Sequence, residues 1–387
     1  MRPALIVARS VENGLLAYKA AGLSPDEVAV SDDPDELEMA VASGTPALSS
    51  SPEVVNVIAG IDVVVEATGA LDYGARVVLG AIESRKHVIS MNAELDATIG
   101  PLLHHRAGQS GVVYTISDGD QPGVMLRQIE FVAGMGFEVT AAINCKRNLD
   151  VYQNPDVSRG YANRDKTSLA MTTAFGDGTK MQIENAVVAN ATGLVPDRRG
   201  MHGVETTLER SCNDIMRVLT RRGVVDYTLG GDFGGGIGVI GYADDSEMIQ
   251  PYMRYSKMGD GPDYFFFRPY HLLHFELPLT IAEVLLDGQR LGGPAVTPVA
   301  EVLAIAKRDL RPGEMLDGIG GFTCYGHIDT VMDAEGMLPI GLTEHARLKR
   351  SVAKDEPIAM DDVEVEDEAE IVRLRDVQDR TLSLETS

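Results

Sequence analysis

Lys146 lies where a catalytic lysine of a parallel-sheet enzyme is expected. It follows a predicted strand from Glu138 to Ile143, and the ligands of α/β proteins gather at the carboxyl ends of such strands. Reactions at a carbonyl group develop negative charge on its oxygen, which a proton donor or a cation must stabilise. We therefore predict that Lys146 is an electrophilic or acid group and that Asp150 is its partner. The alternative is an exposed lysine in a polar loop.

A second lysine, Lys180, follows the step Asp177-Gly178. Asp-Gly between two strand-like runs is typical of a hairpin turn, so Lys180, Gln182 and Glu184 are predicted to share one face of a strand. In this interpretation Lys180 binds a substrate carboxylate or phosphate and Asp177 orients it as a catalytic pair. An ordinary turn with an exposed polar face is the alternative.

Further polar residues extend this candidate site. Asp118 and Asp120 bracket a glycine at the end of another predicted strand, where two carboxylates can contact a substrate or orient a lysine. A divalent metal is a further alternative, but no three carboxylates have the spacing of metal ligands. Arg268 and His271, beside turn glycines, and Asn154 complete the predicted substrate-binding residues.

Strands alternate with helices in the stretch that must position these groups. The predicted strands end in polar residues, and the helices between them carry apolar residues on one face. This alternation is typical of a parallel sheet with helices on both faces. The first of these strands ends at Ala67-Thr68-Gly69, which we predict to contact a dinucleotide cofactor. The predicted strands are 61–69, 87–92 and 111–118, and the predicted helices are 35–41, 72–85 and 99–109.

A short apolar strand, Pro3 to Ala8, precedes Arg9 and Ser10. In a nucleotide-binding sheet the second strand ends beside the adenosine ribose, where an arginine accommodates the extra phosphate of NADP. Arg9 and Ser10 therefore predict NADP(H), and the first strand with its Gly-x-Gly-x-x-Gly turn is expected about 25 residues earlier. In the alternative, Pro3 to Ala8 is the first strand of an altered sheet. Gly236 to Gly241 matches the glycine pattern, but no helix is predicted to begin there.

Composition excludes several classes of function. The chain has 387 residues and a formal net charge of -24, which disfavours binding to nucleic acid or to an anionic membrane surface. The three cysteines, Cys145, Cys212 and Cys324, are far apart and odd in number, so we expect reduced thiols and a cytoplasmic protein. No apolar segment approaches the length of a membrane span.

Three parts are predicted along the chain: 1–122, 123–298 and 299–387. The last part contains a weak internal repeat, in which 307–317 is echoed by 349–362. In each unit a basic residue precedes a short strand and a tight turn, and an acidic residue closes the unit, which indicates a small all-β module. This module resembles the SAF domain, a β-clip fold.

The whole chain resembles homoserine dehydrogenase-like oxidoreductases that carry a carboxyl-terminal SAF domain, a group that includes the deoxyxylulose-phosphate reductoisomerase-like enzymes of isoprenoid precursor synthesis. The segments Glu66–Gly69, Met91–Asp96 and Asp118–Gly123 carry the resemblance. It implies an α/β protein with a Rossmann-type parallel sheet, an α+β catalytic domain, NADPH and a homo-oligomer. It also implies cofactor contacts at Asn92 and Glu94, and it favours a binding role for the Asp-Gly-x-Lys step. Members usually open with a glycine fingerprint before a segment like 1–9, so an N-terminally truncated Rossmann-type sheet is expected.

The expected function is therefore that of an NADP-dependent oxidoreductase acting on a small polar carbonyl or hydroxy compound, with or without a phosphate group. One alternative is a non-catalytic SAF-domain binding or assembly protein derived from a dehydrogenase. A second alternative is an epimerase or dehydratase that uses the lysines without net redox change.

Overall fold

The computed structural model describes residues 1–244, 247–292 and 298–385. It confirms the predicted α/β architecture. Parallel sheets come first, a larger mixed sheet follows, and small antiparallel sheets lie near the carboxyl terminus.

The amino-terminal part alternates strands and helices as predicted. Helix starts and ends follow local rules: Asp33 caps the second helix, a proline occupies its first turn, and Gly44 ends it in the left-handed conformation. The elements are β1 (Leu5–Val7), α1 (Val11–Ala20), a 3-10 turn (Pro25–Glu27), β2 (Ala29–Val30), α2 (Pro34–Ser43), β3 (Ala47–Ser49), α3 (Val54–Val57), β4 (Val63–Glu66), α4 (Leu71–Glu83), β5 (His87–Ser90), α5 (Ala93–Ser110) and β6 (Tyr114–Ile116).

These six strands form two three-stranded parallel sheets, in the orders β1-β3-β2 and β4-β5-β6. Within the described residues, no ladder of hydrogen bonds joins β1 to β4, so each has one neighbouring strand. Val65 in β4 is 36% exposed, whereas an interior parallel strand is buried on both faces. Both β1 and β4 therefore behave as edge strands.

The middle part is built around a mixed sheet of six strands. Its order is β12-β11-β7-β10-β8, and β9 pairs with β10. The central strand β7 runs parallel to β10 and antiparallel to β11. The elements are α6 (Gln121–Gly134), β7 (Glu138–Lys146), α7 (Pro155–Asp165), α8 (Leu169–Asp177), α9 (Thr179–Thr192), β8 (Val195–Pro196), β9 (Val204–Glu205), α10 (Ser211–Val218), β10 (Val224–Leu229), β11 (Ile237–Tyr242), α11 (Ile249–Tyr255), β12 (Asp263–Arg268) and α12 (Leu273–Asp287).

The predicted hairpin at Asp177-Gly178 is wrong. Helix α8 ends at Asp177, Gly178 adopts φ +83° between the helices, and α9 starts at the next residue. The Asp177 carboxylate accepts the N–H of Thr179 at 2.8 Å and so satisfies a free donor at the start of α9. Because α9 is a helix, Lys180 and Glu184 lie one turn apart on the same face, and the predicted period-two face does not form.

The carboxyl-terminal part contains the predicted small sheets. The two predicted repeat units pair with each other, since the backbone N–H groups of Leu310 and Val352 donate to each other's carbonyl oxygens at 2.9 and 3.3 Å. The elements are β13 (Ala300–Ala306), β14 (Cys324–Thr330), a 3-10 helix (Ile340–His345), β15 (Ala346–Leu348), a 3-10 turn (Met360–Asp362), β16 (Val363–Val365) and α13 (Glu370–Glu385).

Helix α13 is an exception to the all-β prediction for 299–387. It packs on α4 and α5 of the amino-terminal part. Ile371 is fully buried, and the Gln378 side chain accepts the N–H of Leu102 at 3.0 Å and donates to the carbonyl of Thr98. These contacts lie far from α13 along the chain, so they could not be seen in the local pattern. Among the described residues, no helix has the length and hydrophobicity to cross a membrane.

Candidate active site

Lys146 is the last residue of β7, at the carboxyl end of the central strand of the mixed sheet. Its Nζ lies 3.0 Å from Gln121 Oε1 and 3.6 Å from Glu184 Oε2. The predicted partner, Asp150, is exposed and accepts the N–H of Tyr152 instead. The predicted Lys146–Asp150 pair is therefore wrong, because the chain turns away after β7 and α9 supplies the carboxylate.

Lys180 forms a buried ion pair with Glu94. Its Nζ lies 2.9 and 3.0 Å from the two carboxylate oxygens, and both side chains are at most 6% exposed. Asp177 does not orient Lys180, since it pairs with Lys307 of the carboxyl-terminal part at 2.7 Å. The prediction that Asp177 orients Lys180 is wrong for the same reason as the hairpin: the junction of two helices directs the two side chains to different partners.

Five ionisable residues form what we call the lysine–carboxylate cluster: Lys146, Lys180, Glu94, Asp120 and Glu184. Asp120 is the N-cap of α6 and accepts the N–H of Gln121 at 3.0 Å. Glu184 accepts the side-chain N–H of Asn144 at 3.0 Å. Helices α5, α6 and α9 and strand β7 thus bring together residues that are up to 90 positions apart in sequence.

The cluster combines a permanently charged lysine, Lys180, with a carboxyl group, that of Asp120, which titrates near neutrality. Burial lowers the pKa of Lys180, but Glu94, Asp120 and Glu184 outweigh it, so the pKa of Lys180 is raised and the amine stays protonated. Burial raises the pKa of Asp120 to about 6; Lys180 opposes this shift, and the carboxylates of Glu184 and Glu94 add to it. Asp120 can therefore exchange a proton at physiological pH beside a fixed cation.

A second region lies at the carboxyl end of β4 and next to the cluster. Glu66 is buried there, which raises its pKa, and its Oε2 atom accepts no hydrogen bond within the described residues. Ala67, Thr68 and Gly69 are exposed. Gly69 has φ +66° and faces open space, since a Cβ at this position would have no neighbour within 4 Å. We call 66–70 the cofactor edge, after the cofactor contact predicted for Ala67, Thr68 and Gly69. A buried carboxylate oxygen without a partner can accept a hydrogen bond from a hydroxyl group such as that of a ribose.

Asn92 shapes this edge. Its Oδ1 atom accepts the N–H of Leu95 at the start of α5, and its Nδ2 atom donates to the carbonyl oxygen of Ala70 at 3.1 Å. Glu94, two residues further on, contacts Lys180. Its predicted contact with the cofactor is thus replaced by an ion pair in the cluster.

Of the two predicted cofactor residues after β1, one is exposed and the other is used as a helix cap. Arg9 is exposed, whereas the Ser10 hydroxyl caps α1 by accepting the N–H of Asn13 at 3.2 Å. Burial and Glu53 raise the pKa of Tyr73, while Arg76 and Arg9 lower it. The positive charge of Arg9 is therefore close enough to influence Tyr73, in the first turn of α4, which follows the cofactor edge.

The remaining predicted substrate residues all have partners inside the protein. Asp118 pairs with Arg127 at 3.1 Å, Arg268 with Glu276 at 2.7 Å, and Asn154 caps α7. The imidazole of His271 lies 3.2 Å from the carbonyl oxygen of Gly119. Asp118 and His271 adjoin the loop that carries Asp120. Arg268 and Asn154 instead serve an ion pair and a helix cap.

Metal ligation and thiol chemistry find no support in the described ranges. No group of three or more His, Cys, Asp or Glu side chains there is arranged to hold a metal ion. Burial raises the pKa values of Cys145, Cys212 and Cys324 to about 12, which disfavours the reactive thiolate form.

Sequence reasoning missed several members of the site. Gln121 adjoins the predicted residue Asp120, and Asn144 lies two positions before Lys146, so a carboxamide near a predicted site residue is the signal that could identify them. The sequence predicts Glu184 only as part of a strand face. Lys307 falls in the predicted repeat, and nothing local connects it with Asp177.

Two family matches show the class of protein: the chain is an NAD(P)-dependent oxidoreductase. Residues 6–116 match the family described as "Homoserine dehydrogenase, NAD binding domain". Residues 119–277 match "Oxidoreductase DRL, catalytic domain". The cofactor is thus a nicotinamide dinucleotide.

Solved structures with a similar arrangement include a probable dehydrogenase from Thermotoga maritima, with 11% identity, 76% of this chain and 90% of that chain covered, and a TM-score of 0.38. The apo scyllo-inositol dehydrogenase from Lactobacillus casei has 14% identity, covers 75% and 89%, and has a TM-score of 0.38. A DOX-P reductoisomerase in complex with magnesium has 16% identity, covers 47% and 49%, and has a TM-score of 0.32. No curated protein sequence matches the chain significantly.

Proposed function

We propose that the protein transfers hydride between NADP(H) and a small polar carbonyl or hydroxy compound. The observation that carries this proposal is that the start of α5 contacts both halves of the site. Asn92, the N-cap of α5, donates to the carbonyl oxygen of Ala70 at the cofactor edge, and Glu94, two residues later, binds Lys180 in the cluster. A reacting carbon held between the edge and the cluster would therefore have a proton-exchanging group and a cation beside it.

When bound, the nicotinamide supplies or accepts the hydride. Lys146 is the partly accessible cation of the cluster, with a side chain that is 17% exposed. In this proposal its ammonium group stabilises the negative charge that develops on the substrate oxygen. Gln121 and Glu184 orient Lys146 through the contacts given above. Lys180 stays buried and provides a permanent positive charge.

Asp120 acts as the general acid and base. Its carboxyl group is protonated below about pH 6, so it donates a proton to the substrate oxygen during reduction and accepts one during oxidation. Its side chain is partly open to solvent, which allows it to exchange that proton with water. This role is more specific than the substrate-binding role predicted from the sequence.

NADP(H) is preferred over NAD(H) in this proposal. The support is Arg9, an exposed guanidinium at the carboxyl end of β1 that acts on the first turn of α4. An arginine at this place can bind a ribose phosphate.

We also propose a homo-oligomer and a SAF-type module at 299–387. Helix α12 presents an apolar stripe at one-turn and two-turn spacings, in which Phe275 is 80%, Leu279 57% and Leu286 82% exposed. Such a stripe supports self-association, and Leu279→Glu is expected to dissociate the oligomer in light scattering. The reciprocal pairing of the two repeat units supports the SAF-type module.

The experiment follows NADPH absorbance with the natural protein and a panel of aldehydes, ketones and hydroxy acids. The panel includes homoserine-like and deoxyxylulose phosphate-like compounds, because the sequence resembles enzymes of those groups. Lys146→Met is expected to lower kcat by about 100-fold or more, as loss of an oxyanion-stabilising group does. Lys19→Met, on an exposed helix face, serves as the matched control.

Each alternative function has its own outcome. Turnover with constant NADPH absorbance would identify an epimerase or dehydratase instead. A protein that binds neither nicotinamide cofactor would be the non-catalytic binding or assembly protein, and the proposal would fail.

A further inference from the structure

A cavity of about 430 Å³ lies between the middle and carboxyl-terminal parts of the protein. Arg198 and Arg199, after β8, and Arg221, before β10, form one wall. Asp329, near the end of β14, and Asp333, in the following turn, form the other. None of these residues belongs to the lysine–carboxylate cluster or to the cofactor edge.

The three arginines are not equivalent. Arg199 is neutralised, because its Nε lies 2.6 Å from Asp329 Oδ2 and its Nη2 donates to the backbone carbonyl of Asp333 at 3.1 Å. Arg198 and Arg221 are exposed, and neither guanidinium group makes a hydrogen bond or a salt bridge with the residues that the structure describes. Two unpaired guanidinium groups therefore border one cavity in a chain with 58 acidic and 34 basic residues.

The carboxylates of the cavity are mostly engaged elsewhere. Asp197 accepts the N–H and the hydroxyl of Thr220 at 2.8 and 2.6 Å, and the imidazole of His202 at 2.8 Å. Asp329 is paired with Arg199. The Asp333 carboxylate accepts a hydrogen bond only from the hydroxyl of Thr330 among the described residues. Of the carboxylates that line the cavity there, it is therefore the one whose charge would most directly repel an anion.

We propose that this cavity binds the dianionic phosphate group of a small phosphorylated metabolite, with Arg198 and Arg221 as its ligands. Two guanidinium groups match the charge of a phosphate monoester and can each donate two parallel hydrogen bonds. The cavity is larger than the phosphate group, which leaves room for the organic part of the ligand.

The site is connected to the lysine–carboxylate cluster through α9. Gln182 lies on this helix, between Lys180 and Glu184, and joins the two walls of the cavity. Its Nε2 atom donates to the carbonyl of Gly200 at 3.2 Å, and its Oε1 atom accepts the N–H of Ile328 at 3.0 Å. A ligand that holds the walls together therefore restrains the two segments to which Gln182 of α9 is bonded, which couples the cavity to the lysine–carboxylate cluster.

The experiment measures binding of inorganic phosphate and of succinate to the full chain by calorimetry, with hydrogen exchange of α9 as the second readout. The double variant R198A/R221A is expected to bind phosphate at least tenfold more weakly, since it removes two charge-assisted contacts. The matched control is R210A/R217A, which removes two exposed arginines that pair with Asp214 and is expected to bind like the wild type.

A third variant tests the sign of the effect. D333N keeps the acceptor for Thr330 but removes the opposing charge, so phosphate is expected to bind several-fold more tightly. Protection of α9 on adding phosphate to the wild type, and not to R198A/R221A, would support the link to the active site. If succinate binds at least as well as phosphate, the assignment to a phosphate group is wrong.

The proposal is overturned if the wild type does not bind phosphate or if R198A/R221A binds it as well as the wild type. It is also overturned if Arg9→Ala abolishes the binding, because phosphate would then occupy the cofactor edge. Each of these results leaves the proposed oxidoreductase function unaffected, since no step of it uses the cavity.

Discussion

Asp120→Asn is expected to stabilise the protein above pH 6 and to leave its stability almost unchanged near pH 4. The pKa of Asp120 is raised from 3.8 to about 6 in the folded protein, chiefly by burial. A raised pKa means that the fold binds the proton more tightly than the unfolded chain does. The stability from this group is fully present below about pH 4 and is lost as the pH rises through about 6.

The size of the effect follows from the shift. Two pKa units correspond to about 3 kcal/mol of differential stability. Because the side chain is partly open to solvent, screening reduces this figure, and we expect about 1.5 to 3 kcal/mol at pH 8. Asparagine keeps the acceptor that caps α6, so the cap at Gln121 is not lost. The midpoint of thermal unfolding should rise by about 2 to 4 °C, given an unfolding entropy of about 2.1 cal/mol/K per residue.

Scanning calorimetry of the wild type and Asp120→Asn at pH 4 and pH 8 tests this prediction. Asp32→Asn is a control of opposite sign. Hydrogen bonds from Ser49 and Ser50 lower the pKa of Asp32 to about 2, so its contribution is present above about pH 4 and is lost as the pH falls through about 2. This control should therefore destabilise the protein at pH 8. If Asp120→Asn is equally or more destabilised at pH 8 than at pH 4, the assignment of Asp120 as a desolvated acid is refuted.

Three further predictions follow from the ion pairs and the cofactor edge. Lys180→Met should lower the free energy of unfolding by about 3 to 5 kcal/mol at pH 8, because it leaves Glu94 buried without a partner. The second substitution Glu94→Gln should recover part of this loss in chemical denaturation. Strictly additive effects of the two substitutions would contradict the pairing. Lys307→Met should destabilise the junction with the carboxyl-terminal part by a similar amount, since Asp177 loses its cation, and hydrogen exchange should then rise at the start of α9; unchanged exchange there would argue against it. Arg9→Glu should weaken NADPH binding about tenfold or more with little effect on NADH, and an equal loss for both cofactors in fluorescence titration would refute the role of Arg9.

Much of the fold was predictable from local patterns. The alternation of strands and helices before Asp118 has the period and the capping residues that parallel α/β structure requires, and the structure contains the predicted elements. Helix α5 begins at Ala93, six residues before its predicted start, and α1, α3, β2 and β3 are not predicted from the sequence. The position of Lys146 at the end of β7 is also a local signal. The hairpin prediction failed at Asp177-Gly178, since the same two residues suit a tight turn and a junction of two helices. Only packing around α9 decides between them.

The sequence by itself determined the class of fold, the two lysines of the site and the candidate cofactor residues, because periodicity, caps and strand ends depend on neighbours along the chain. Tertiary structure alone decided the partners: Lys180 meets a carboxylate 86 positions away, and Asp177 meets a lysine 130 positions away. It also decided which carboxyl group titrates near neutrality. The pKa of Asp120 depends on burial and on charges from two other helices, α5 and α9, and these act on Asp120 only once the helices have packed.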